Sequence, residues 1–121
     1  MSYSMNGIFS NVFELQRELL GHDPRVWRTD EEKVAYLGLL CLHTFSEVNE
    51  SLEHVDGWKS WAGGTARLDH EGFTDELVDV ILLAVSSFIC SGGTAGTLLE
   101  KLDTKSTHNL DRLAMKGGKL A

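Results

Sequence analysis

Two stretches of this chain carry apolar residues on nearly every side of a helix, and 121 residues offer few partners to cover them. In the first, Val34, Leu37, Cys41, Phe45, Val48, Leu52 and Val55 recur at helical spacing. A second stripe, about 100° around the same helix, carries Tyr36, Leu39, Leu40 and His43 and continues into Glu47 and Glu50. In the other stretch, Leu77, Val78, Ile81, Leu82, Val85, Phe88 and Ile89 cover most of the circumference. The remaining face is Glu76, Asp79, Val80, Leu83, Ser86 and Ser87. Helices this broadly apolar are buried on more than one side. The expectation is a homodimer or homotetramer, with any pocket close to the subunit interface.

Two further segments complete the secondary structure. Asn6 to Leu20 places Phe9, Val12, Phe13, Gln16 and Leu20 on one stripe, and Gly21 followed by Asp23-Pro24 ends it. Thr29 is the expected N-cap of the second helix, with Glu32 in capping-box position and Asp56-Gly57 as its stop. A loop through Gly63-Gly64 precedes the third helix, expected from Thr74 to about Cys90; its length and acidic first turn favour helix over a buried strand. After the turn Ser91-Gly92-Gly93, a fourth helix is expected from Thr94 to about Met115, interrupted near Thr104 to Thr107. A frayed tail is expected from Gly117-Gly118. Pro24 is the only proline and no low-complexity linker is present. The prediction is one domain over residues 1–121, all-α, folded as an antiparallel four-helix bundle.

Composition narrows the function classes. A net charge of −7 leaves no basic stripe with which to neutralise a nucleic-acid backbone. The longest apolar run, Val80 to Ile89, is too short to span a bilayer, and no targeting segment is recognisable, so a cytoplasmic protein without nucleic-acid or membrane partners is expected. Cys41 and Cys90 lie in apolar stretches and are read as reduced core residues rather than a disulfide framework. The histidines form no zinc-type cluster with them, and Gly92-Gly93 belongs to no phosphate-loop pattern.

The chemistry-bearing pattern is Glu47-x-x-Glu50 followed about 25 residues later by Glu76-x-x-Asp79. Spacing of i, i+3 puts each pair on one helix face. Two such pairs on facing helices would converge four carboxylates, which suits a hard divalent cation; without one, they would repel each other and resist desolvation. Solvated surface acids are the plainer alternative. The apolar setting of both helices weighs against it, because charges seldom enter such surroundings unpaired.

Glu47-Val48-Asn49-Glu50 and Glu76-Leu77-Val78-Asp79 resemble the E-x-x-E…E-x-x-D signature of the all-α nucleoside triphosphate pyrophosphatases. That superfamily includes MazG-like proteins, dimeric dUTPases, dCTP pyrophosphatases and phosphoribosyl-ATP pyrophosphohydrolases. The resemblance spans roughly residues 9 to 113. It extends to Trp58-Lys59-x-Trp61 and to Lys105, Asn109 and Arg112, which are similar to a K-x-x-x-N-x-x-R segment. Asn49 stands where many relatives carry glycine. The resemblance implies a MazG-like bundle in which Glu47, Glu50, Glu76 and Asp79 hold Mg²⁺, with Mn²⁺ as an alternative. A nucleoside triphosphate would be hydrolysed to monophosphate and pyrophosphate, with Glu47 and Glu50 as the candidate bases, in nucleotide-pool house-cleaning.

Lys105, Asn109 and Arg112 share a helix face at i, i+4 and i+7 and, with Lys59, are candidate phosphate contacts; a solvated polar face is the alternative. Phe13, Gln16 and Trp58 are candidate base contacts. Gln16 interrupts an apolar stripe, and a buried amide wants partners that either a nucleobase or the backbone could supply. Trp58 and Trp61 could stack on a base, close a pocket, or belong to the core or a subunit interface. His43, one turn before Glu47, either orients that carboxylate or is structural. Two other functions fit the sequence: a narrow dUTPase or dCTPase, and a helical interaction module without catalysis.

Overall fold

The computed structural model describes residues 3–115; the Gly117-Gly118 segment lies outside them. The chain is mostly helical. Helices α1 (Met5–Leu20), α2 (Asp30–Ser51), α3 (His70–Cys90) and α4 (Ala95–Met115) are its main elements. Between α2 and α3, a 3₁₀ turn at Leu52–His54 leads into strand β1 (Val55–Asp56). A second 3₁₀ turn (Ser60–Ala62) precedes strand β2 (Arg67–Leu68). The two strands pair antiparallel, Val55 opposite Leu68 and Asp56 opposite Arg67. This small ribbon stands where a plain loop was expected.

Local sequence accounts for the helix ends. Ser4 caps α1 by accepting from the Gly7 N–H at 3.0 Å, and Gly21 closes it in the left-handed conformation. Thr29 caps α2 by accepting from the Glu32 N–H at 3.1 Å. Glu32 does not complete a reciprocal capping box; its carboxylate pairs instead with Arg28 at 2.7 Å. Helix α2 stops earlier than Asp56-Gly57, because the chain tightens into the 3₁₀ turn at Leu52. Helix α3 begins earlier than Thr74. Asp69 is its cap, accepting from the Gly72 N–H at 3.1 Å, and Thr74 bonds back to the His70 carbonyl within the first turn. Helix α4 runs unbroken through Thr104 to Thr107.

Helices α2 and α3 pack against each other along their lengths. Their order of contact is antiparallel: the end of α2 meets the start of α3 through Glu47, Glu50 and Glu76. At the other end, Trp27, just before α2, donates from Nε1 to the Cys90 carbonyl at 3.1 Å. Helix α1 lies on α3. Val12 joins Val85 and Ile89 in the core, with Phe9, Phe13 and Leu98 packed around them. The stripe read for α1 is its inner face: Val12 and Gln16 are buried, and Phe9, Phe13 and Leu20 are partly so.

For α2, the longer apolar stripe is the one left outside. Val34, Cys41, Phe45, Val48 and Leu52 are exposed, whereas Tyr36, Leu40 and Glu47 on the second stripe turn inward. Cys41 is therefore not a core residue of the single chain. Cys90 is, and burial pushes its thiol pKa up to about 11, which leaves it protonated and unreactive at neutral pH. At the α3–α4 junction the helix axes turn by 118°. Gly93 permits this by lying against the Phe88 ring, where a Cβ would collide with the ring carbons. Beyond Leu98, α4 is exposed along most of its length. Among the described residues, no single helix is long and apolar enough to cross a membrane.

Ile89 is fully buried, so Ile89→Ala should destabilise the fold by about 2–5 kcal/mol through lost burial and the cavity left behind. Thr29→Ala should cost about 1 kcal/mol by uncapping α2. Urea unfolding followed by circular dichroism checks both; the core change must exceed the cap change.

Candidate functional site

Glu47 and Glu50 face α3 from the last turns of α2, and Glu76 meets them from the second turn of α3. One carboxylate oxygen from each lies within 4.8 Å of the other two. The convergence follows from the i, i+3 pair on α2 and the antiparallel packing of the two helices. Asp79 is not within that triad. It lies one turn further along α3, exposed, and lines the adjoining cleft with Glu47.

Like charge crowds this site. Glu47 is held above the usual carboxylate range, first by the hydrogen bond a protonated Glu47 donates to Glu76. Loss of solvent and the charges of Glu50, Glu76 and Asp79 add to the effect. Oε2 of Glu76 is buried and accepts no hydrogen bond among the described residues. No lysine or arginine forms an ion pair with the triad among those residues. The neighbouring bases are His43, with Nε2 3.4 Å from Glu47, and His54, with Nε2 3.9 Å from Glu76. Three carboxylates, one of them with an unpartnered oxygen, suit a hard divalent cation.

The cleft beside the acids encloses about 420 Å³ between α1, α2 and α3. Leu15, Leu19, Leu40, Leu82 and Leu83 make its apolar walls, with Glu47 and Asp79 at one end. Gln16 and Tyr36 supply polar groups within it, and the Tyr36 hydroxyl donates to Gln16 Oε1 at 2.5 Å. Burial raises the Tyr36 pKa, so this hydroxyl stays a donor at neutral pH.

The other candidate residues are distributed differently. Phe13 packs on the Val12–Val85–Ile89 core, with the Arg25 guanidinium 4.9 Å from its ring centre, and does not line the cleft. Trp58 and Lys59 line a separate, shallower pocket with Leu52, Val55 and Gly63. There the Trp58 ring meets Trp61 edge-on at 6.0 Å, and Lys59 Nζ lies 5.1 Å from the Trp58 centroid. Lys105, Asn109 and Arg112 are exposed on α4, whose main neighbour is α1. Within one chain, these cations are not gathered at the acids.

His54 is the neighbour that the sequence reading passed over. Its Nδ1 lies 2.9 Å from Asp69 Oδ2. Its spacing of four residues from Glu50 and seven from Glu47 was the available signal, since the 3₁₀ turn prolongs the inward face of α2. His43, four residues before Glu47, gave the same kind of signal, and its ring stands beside that carboxylate.

Compared with models of protein families, with curated proteins and with solved structures, the chain matches none.

Removing one of the crowded charges should stabilise the metal-free protein at neutral pH. Glu47→Gln keeps a donor toward Glu76 and eliminates the repulsion, so its melting temperature in EDTA should exceed that of the wild type. A lower value would show that the triad is not under electrostatic strain.

Proposed function

We propose that this chain is a Mg²⁺-dependent nucleoside triphosphate pyrophosphohydrolase. The observation that carries the reading is the convergence of Glu47, Glu50 and Glu76, of which Glu47 also lines an apolar-walled cleft. The E-x-x-E…E-x-x-D pattern described above supports it. In this reading Glu47, Glu50, Glu76 and Asp79 hold the ion, Mg²⁺ or Mn²⁺. When bound, the ion neutralises phosphate charge and makes coordinated water more acidic. Glu47 or Glu50 orients a water and accepts its proton as the water oxygen bonds to the α-phosphorus. The bond from that phosphorus to the bridging oxygen breaks, and the products are a nucleoside monophosphate and pyrophosphate. The leucine walls exclude bulk water and accept the base and sugar, while Gln16 and Tyr36 offer hydrogen-bonding groups to a base edge. The reaction fits a house-cleaning hydrolase of the cytoplasmic nucleotide pool.

Lys59, Lys105, Asn109 and Arg112 remain the proposed phosphate contacts, and Phe13 and Trp58 the proposed secondary contacts around the base. Because one chain leaves them outside the cleft, the proposal includes assembly. The single domain is completed as a MazG-like four-helix bundle only when a second copy covers the outer faces of α2 and α3. Phe45 is 73% exposed and Ile81 58% exposed in the single chain, and clustered exposed apolar residues of this kind mark interaction surfaces.

A screen over natural and damaged triphosphates with Mg²⁺ should detect pyrophosphate release from at least one of them. Glu50→Gln and Asp79→Asn should each abolish that release. Saturating Mg²⁺ should stabilise the wild type by about 2–3 kcal/mol at tens to hundreds of times Kd; a silent screen without any such stabilisation would defeat the proposal. Sedimentation should give a dimer or tetramer that Phe45→Asp shifts toward monomer. A wild-type monomer at micromolar concentration would remove the assembly from the reading.

A further inference from the structure

The segment joining α2 to α3 carries a side chain whose placement is more constrained than a loop histidine needs. The His54 carbonyl accepts from the Asp69 N–H at 2.9 Å. Its ring Nδ1 pairs with Asp69 Oδ2 at 2.9 Å. Asp69 Oδ1 in turn accepts from the Gly72 N–H at 3.1 Å. The β1–β2 ribbon, which follows His54 directly and ends at Leu68, fixes the spacing between the two residues. Gly72 sits beneath this arrangement: a Cβ there would fall on both the His54 ring and the Asp69 carboxylate. The ring is thus held by a side-chain bond, a backbone bond and a missing methyl. Its free edge presents Nε2 to Glu76 Oε1 at 3.9 Å, beyond hydrogen-bond range but the only basic nitrogen within ion-pair distance of that carboxylate among the described residues.

Glu76 needs such a neighbour. It faces two other carboxylates, and its Oε2 is buried without a partner among the described residues. We propose that His54, locked by Asp69 and Gly72, is a positioning residue that holds the Glu76 carboxylate toward Glu47 and Glu50. Side chains that orient metal-binding groups in this way are worth about 10- to 100-fold in metal affinity. The inference rests on the triad being a divalent-cation site.

Mn²⁺ titration of the full-length protein, with free Mn²⁺ followed by electron paramagnetic resonance, tests it, and melting in EDTA monitors the fold. His54→Ala should weaken Mn²⁺ binding about 10- to 100-fold. His54→Gln, which keeps an amide nitrogen near the position of Nε2 but loses the Asp69 anchor, should fall between that variant and the wild type. Gly72→Ala should weaken binding like His54→Ala, although alanine is the better helix former; it reports on the ring's position even if His54→Ala fails to fold. Wild-type binding that Gly72→Ala and His54→Gln leave unchanged would overturn the positioning role alone. Absence of Mn²⁺ binding by the wild type would overturn both this role and the metal-site reading beneath it.

Discussion

Helix α3, packed on both α2 and α1, governs the rest of this molecule, because its surroundings do opposite things at its two ends. Near the end of α3, Val85 and Ile89 meet Val12 of α1 in an apolar cluster, and Trp27 ties the entry of α2 to the Cys90 carbonyl. That end gains from burial. At the start of α3, three carboxylates are pressed together, with His43 and His54 as their basic neighbours among the described residues. That end is held under repulsion, with Glu47 driven toward its protonated form. Anchored at its apolar end to α1 and to the entry of α2, and packed along α2, helix α3 brings Glu76 to the acids of α2 at its other end. Such an arrangement is preorganised for a cation and costly without one.

The cleft occupies the ground between these extremes. Its leucines come from α1, α2 and α3, and its polar groups are concentrated in a few side chains: Glu47, Asp79 and His43, then Gln16 and Tyr36. A ligand with a charged end and a flat, hydrogen-bonding end matches that division better than a uniformly polar or apolar one. The proposed triphosphate follows from this polarity as much as from the acids.

Much of this was legible in the sequence because helical periodicity and i, i+3 spacing are local properties. The inner face of α1, the Thr29 cap and the face shared by Tyr36, Leu40, Glu47 and Glu50 all follow from them. What escaped depends on contacts between distant residues. Two-residue strands carry too little pattern to be recognised, yet they bring His54 to Asp69. The start of α3 was misread because Thr74 is as good a cap by residue type as Asp69. Only the Gly72 N–H, reached by Asp69, decides between them. Phe13 has the right composition for a base contact, but it stands about 60° around α1 from Gln16 and turns to the core instead. Thr104 to Thr107 looked like a break on propensity, which neighbouring helical turns readily override.

The outer surfaces carry the last consequence of the α2–α3 pairing. Having turned Tyr36, Leu40 and Glu47 inward, α2 must present Val34, Cys41, Phe45 and Val48 on another side, since one helix cannot hide both stripes against a single partner. The same holds for Leu77, Val78 and Ile81 on α3. Helix α4 cannot cover them, because the 118° turn at Gly93 carries it toward α1, and beyond Leu98 it is itself largely exposed. Most helical stability comes from tertiary packing of one face, which the single chain gives α4 mainly near its start. The proposed second copy answers both needs with one surface: it covers the outward stripes of α2 and α3 and gives α4 something to pack against. Lys105, Asn109 and Arg112 lie on that unsupported helix. In the proposed assembly, it is the second copy rather than the fold of one chain that would bring them to a phosphate.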